Sequence, residues 1–143
     1  MIKTATDIAD YISEKRLGER QRDIFTSAEI GQYEDRPLYV AIKESQAGKA
    51  PDTTINADYL NINIRVGGNY GGKGENRVLD KAMAIYDLFK LKTDIKINGN
   101  LYHYIMALQP PIHSSFDAEN GQTVYEFNLE VFRQLKGEVW NER

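Results

Sequence analysis

The segment Tyr59 to Val66 constrains the fold most. Leu60, Ile62, Ile64 and Val66 alternate with Asn61, Asn63 and Arg65. Successive side chains of a strand point to opposite faces, so this pattern predicts a half-buried strand. A glycine-rich stretch, Gly67 to Gly74, follows, and then a helix predicted over about Glu75 to Leu91. Val78, Ala82, Ile85 and Phe89 form one apolar stripe of that helix, widened by Leu79, Met83 and Tyr86. Lys90 and Lys92 stand at its C-terminal end, where cations suit the helix dipole. A strand with one wet face that hands over to an amphipathic helix requires further strands beside it.

Those strands are legible. Asp94 to Ile97 and Leu101 to Leu108 flank Asn98-Gly99, a pair that tolerates positive φ and so predicts a hairpin. Leu101 to Leu108 is apolar on both faces apart from His103, which suits a central strand or a subunit contact. Pro110-Pro111 ends it, and Ile112 to Gln122 reads as a loop. In the last strand Tyr125, Phe127, Leu129 and Val131 share one face and Val124, Glu126, Asn128 and Glu130 the other. Near the N-terminus, Thr4 or Thr6 is placed to cap a helix carrying Ile8, Tyr11 and Ile12, with Asp7 in its first turn and Gly18 as its stop. Asp23 to Gly31 and Leu38 to Ser45 read as a hairpin around the turn Gln32 to Pro37. Leu38, Val40 and Ile42 point inward. Gln46 to Thr54, with Gly48 and Pro51, reads as a loop. The expected fold is a single α+β domain over residues 1–143. It has a mostly antiparallel, mixed sheet with two helices on one face, in the order α-β-β-β-α-β-β-β.

Composition narrows the function. The 143 residues are one domain by size, and 41% hydrophobic with 27% charged residues is ordinary for a globular chain. A net charge of -3 argues against a dedicated nucleic-acid binder. There is no cysteine, which excludes disulfides and thiolate metal sites. The N-terminus lacks the apolar run of a signal peptide, and no stretch approaches the roughly 18 apolar residues of a membrane helix. The expected compartment is a cytoplasm. Nine tyrosines and five phenylalanines are many for this length, and tyrosine suits half-wet interfaces.

Candidate chemistry is thin. Gly67, Gly72 and Lys73 fit the GxxxxGK phosphate loop between a strand and a helix. However, the Ser or Thr that would bind magnesium is replaced by Gly74, and glycine density alone also describes a loop without ligand. His103 and His113, the only histidines, have no partner at metal-ligand spacing. His113, Ser114, Ser115 and Asp117 are too close in sequence to converge as a triad. Glu126 and Glu130 share a strand face, but Arg65 offers a simple cross-strand partner. Lys90, Lys92 and Lys96 lie beside Asp87 and Asp94 and read as a solvated helix end. No catalytic residue, cofactor or metal is expected.

The order and filling of these elements resemble the tail terminator proteins of long-tailed bacteriophages, which overlap with phage minor capsid families. The resemblance rests on Tyr59–Val66 with its loop and the helix Val78–Phe89, on Gly99–Ile105, on Gln109–Pro111, and on Asp117–Val131. It implies a non-enzymatic virion protein, assembled in the host cytoplasm. Such a protein forms a homo-oligomeric ring, usually six-fold, that caps the tail tube, stops its polymerisation and meets the head connector. Its implied partners are itself, the tail-tube protein and the connector, with neither membrane nor sequence-specific nucleic acid. Contacts are expected from Gly48 and Pro51 in the loop Gln46–Asn56, from Gly67, Gly68, Tyr70, Gly72 and Lys73, and from Pro111, His113 and Asp117. The alternatives are another head-tail connector (head-closure or tail-completion), a phosphate or nucleotide binder using Gly67–Gly74, and a host-interaction module of prophage origin.

Overall fold

The computed structural model describes residues 2–26, 37–68, 74–117 and 122–135. The elements are α1 (Thr4–Glu14), β1 (Ile24–Thr26), β2 (Leu38–Gln46), β3 (Ala57–Gly68), α2 (Gly74–Leu88), β4 (Leu91–Ile97), β5 (Asn100–Ala107), β6 (Ile112–Asp117) and β7 (Gln122–Gln134). They form a seven-stranded sheet in the order β1-β2-β3-β7-β5-β4, with β6 also paired to β7. Every pair is antiparallel except β1 with β2. The fold is α+β, with both helices packed on one face.

The core lies between that face and the helices. Val78, Ala82, Ile85 and Phe89 are fully buried, as the stripe predicts. They meet Ile8 and Ile12 of α1 and the inward rows Ile62, Ile64 and Val66 of β3 and Phe127, Leu129 and Val131 of β7. Tyr86 meets Phe127 edge-on, with ring centroids 5.9 Å apart. Met83, assigned to the stripe, is exposed instead.

Five expectations need correction. β1 runs parallel to β2, with Ile24 opposite Val40; a hairpin joins only antiparallel strands, and alternation does not encode strand direction. The rest of the expected first strand and its turn, 27–36, lies outside the described residues. Helix α2 ends at Leu88, and Leu91 and Lys92 belong to β4, because Ala107 at the end of β5 donates to Phe89 O (3.0 Å) and draws the chain into the sheet. Residues 112–117 are strand β6 rather than loop, so His113 is a strand residue. β7 is long enough to pair with β5 through 129–133 and with β6 through 122–126 on the same side. Residues 112–115 of β6 are exposed, so burial leaves no pattern in its sequence.

The helix α1 termini differ too. Lys3 is the N-cap residue and no side chain caps it. The Thr4 hydroxyl instead accepts from Arg133 Nη1 at 3.0 Å. At the other end Arg16 takes φ 63, its N–H donates to Ser13 O (3.0 Å) and Leu17 N–H donates to Ile12 O (3.1 Å). This is a Schellman closure, with arginine where glycine is usual. Gly18 lies beyond it.

Gly67 and Gly68 are the fifth correction. They end β3 instead of opening a loop, pairing with Tyr39 and Leu38 on one side and Val124 and Thr123 on the other. A Cβ on Gly67 would lie 2.3 Å from the Tyr39 hydroxyl, and one on Gly68 2.1 Å from Pro37 O. Close approach of the neighbouring strand requires these two glycines.

Candidate functional site

Two polar assemblies stand on opposite faces of the sheet. On the helix face, Asp7 is buried at the start of α1. Its Oδ2 accepts from the Tyr102 hydroxyl in a short bond and from Asn100 Nδ2 at 2.8 Å, and its Oδ1 accepts from Asn98 Nδ2 at 3.0 Å. Asn98 also donates to Asp10, which pairs with Arg20 at 3.0 Å. Arg133 grips Asp58 with two donors at 2.7 and 3.2 Å. Asn98 and Gly99 have positive φ (53° and 80°), as the expected turn demands. Burial, reinforced by the bond to Asp7, pushes the Tyr102 phenol far above its ordinary range, so it remains a neutral donor. No buried side-chain nitrogen or oxygen among the described residues lacks a partner. This assembly clamps α1 to β3, β5 and β7.

Among the described residues the other face carries no helix. There β3 presents Tyr59, Asn61, Asn63 and Arg65, and β7 presents Glu126, Asn128, Glu130 and Phe132 in register. Asn63 Nδ2 donates to Asn128 Oδ1 at 3.1 Å, and Arg65 pairs with Glu126 at 3.4 Å. That ion pair is the partnership expected for Arg65. Glu130 is different: Lys49 of the β2–β3 loop reaches its Oε1 at 2.9 Å, and the Tyr104 hydroxyl donates to its Oε2 at 2.5 Å. The bond from Tyr104, and then Lys49, hold the Glu130 carboxyl below the usual carboxylate range. Burial and Glu130 in turn raise the Tyr104 phenol.

Aromatic rings surround this pair. Tyr59 stacks on Phe132, with centroids 4.4 Å apart and planes 14° from parallel. Tyr104 and His103 tilt against Phe132 at 5.6 and 5.2 Å. The Lys49 ammonium stands 5.1 Å from the Tyr59 ring centroid, within cation–π range. His103 Nε2 lies 2.8 Å from Gln134 Oε1. Exposed apolar side chains rim the face: Leu91 (59% exposed) pairs with Met106, and Ile112 (55%) pairs with Glu126. The two outer strands differ. β4 carries Lys92, Lys96 and Asp94 at φ 50, features that discourage further strand pairing. β6 carries only Ile112, His113, Ser114 and Ser115 over its exposed stretch.

Among the described residues, the sequence-expected contact residues do not come together as one site. Gly48 is exposed with open space around it, and Pro51 is exposed beside it. Gly67 and Gly68 are held inside the sheet. Pro111 precedes β6, and His113 bonds Thr123 Oγ1 at 2.8 Å while its ring tilts against Tyr125. Tyr70, Gly72, Lys73 and the Asp117 side chain lie outside the described residues. The Ser114 hydroxyl donates to Val124 O at 3.4 Å. A cleft of about 450 Å³ lies between the α1–β1 connection, β2 and α2, but Lys81 on its wall already donates to Leu17 O at 2.8 Å. Among the described residues no cluster of His, Asp and Glu is placed to hold a metal, and no helix is long and apolar enough to cross a membrane.

Sequence reading missed Lys49, Tyr104 and Phe132 as a group. The alternation of β3 and β7 places Tyr59 and Phe132 on one face, which was an available signal. Nothing local brings Lys49 to Glu130.

No family model matches the chain, and no curated protein matches it. Among solved structures, one chain whose name states no function aligns over 95% of this chain and 100% of its own, at 13% identity and a TM-score of 0.46. That likeness is too loose to carry an argument.

Proposed function

We propose that this protein is a non-enzymatic assembly protein of a long-tailed phage. It forms a homo-oligomeric ring, six-fold by the family resemblance, that caps the tail tube, stops its polymerisation and joins it to the head connector. The observation that carries this reading is the helix-free face. Its stacked rings and the exposed Leu91 and Ile112 supply the aromatic and apolar area in which protein interfaces are enriched. The unguarded outer edge of β6 beside that rim offers a place for a neighbouring copy to pair, which ring closure would cover. Its place in the cell is then the virion, at the head-tail junction.

The phosphate-loop alternative loses support at Gly67, whose lack of a side chain answers to Tyr39 packing. The test is native mass spectrometry over a range of concentrations, followed by electron microscopy of the protein mixed with purified tail tubes. A discrete ring that seats on tube ends supports the terminator. Binding to the head connector alone would assign another connector role. A monomer that binds neither, but shows a thermal shift with magnesium-ATP, would overturn the assembly reading.

A further inference from the structure

Glu130 is 8% exposed, yet it belongs to the face that no helix covers. A carboxylate this shielded requires charged or hydrogen-bonded partners. Tyr104 supplies one on Oε2 and Lys49 the other on Oε1. The two differ in attachment. Tyr104 lies in β5 between paired strands. Lys49 hangs from Gly48 to Pro51, a stretch exposed at every position, with open space around Gly48. The anchored part of the loop begins only at Asp52, which exchanges backbone bonds with Ala57. The Lys49 side chain is itself 55% exposed and lies across Tyr59, next to Phe132.

We propose that Glu130, Tyr104, Tyr59 and Phe132 form a recognition pocket for a lysine side chain on a partner protein, and that Lys49 is an internal occupant which that lysine displaces. Charge complementarity selects a cation, because the pocket joins a shielded carboxylate to an aromatic face. The hydrogen-bond inventory selects lysine among cations. Arginine binds carboxylates best through both oxygens, and Oε2 is already engaged by Tyr104. A quaternary ammonium has no N–H to give Oε1. The proposal needs only this face and stands even if the protein forms no ring.

The experiment titrates n-butylammonium chloride, a lysine side-chain mimic, into wild-type protein and Lys49→Ala. It follows the backbone amide signals of Tyr104, Glu130 and Phe132 by NMR, with sodium chloride matching ionic strength. Lys49→Ala should show saturable shifts at these positions. Wild type should need roughly tenfold more ligand, because its pocket is open only part of the time. Tetramethylammonium should bind Lys49→Ala more weakly than n-butylammonium. Glu130→Gln added to Lys49→Ala should abolish saturation. Should that double variant fail to fold, Tyr59→Ala in the Lys49→Ala background replaces it, with binding weakened roughly threefold. Three results would each overturn the proposal: equal affinity of wild type and Lys49→Ala, absence of saturation in Lys49→Ala, or tetramethylammonium binding as tightly as n-butylammonium.

Discussion

The same two strands serve opposite purposes on their two faces. Toward the helices, Ile62, Ile64, Phe127 and Leu129 are completely buried. One residue along, Asn63, Arg65, Glu126 and Asn128 face away from any helix and satisfy one another across the strands. The first set holds the fold by removing apolar area from water. The second makes bonds that water could make nearly as well, so its net stabilisation is small. The helix-free face is therefore open to change for binding, whereas the covered face is not.

The sharpest way to break this comparison is Phe89→Asp. Phe89 is fully buried where α1, α2 and the sheet meet, with Tyr11 5.7 Å away. Loss of the ring and burial of a carboxylate should cost more than about 4 kcal/mol. The expected outcome is an unfolded chain by circular dichroism, and a native-like melting temperature would mean the core face is misassigned. Asp7→Ala comes next. It removes the acceptor that Tyr102 and Asn100 share and one of the two that Asn98 uses, so urea unfolding should register a loss of about 2–4 kcal/mol.

Two weaker effects belong to the helix-free face. Glu130 titrates lower in the folded protein than its ordinary value of 4.5, because Tyr104 and Lys49 favour its charged form. A lowered folded value means that the contribution is complete above the unfolded value and is lost as pH falls through the folded one. The stability gap between wild type and Glu130→Gln should hold from pH 7 to about pH 5 and narrow on further acidification. A gap that widens in acid would reverse the assignment. The smallest effect is expected for Arg65→Ala: Arg65 is half exposed and its ion pair spans 3.4 Å, so the melting curve should move by less than about 0.5 kcal/mol. A loss as large as that of Asp7→Ala would erase the distinction between the faces.

Period and turn chemistry made much of the fold legible. The β3 and β7 alternation, the α2 stripe and the Asn98-Gly99 turn are local features, and each appears at its expected place. The candidate site was legible only in part. The wet rows of β3 and β7 could be read off alternation, and the Arg65–Glu126 pair followed from them. The Lys49–Glu130 contact joins residues far apart in sequence, and β6 sits at an exposed edge where burial imposes no pattern.

By itself the sequence determined which side of β2, β3 and β7 is apolar, where α2 begins and where the β4–β5 chain reverses. These follow from side-chain geometry within a few residues, which neighbours in space do not alter. Tertiary structure alone decided that β1 runs parallel to β2, that β7 serves two partners on one side, and that Gly67 and Gly68 make room for Tyr39 and Pro37. It also decided that a loop lysine meets a shielded glutamate. Each of these depends on which distant segments share a neighbour, and no local periodicity records that.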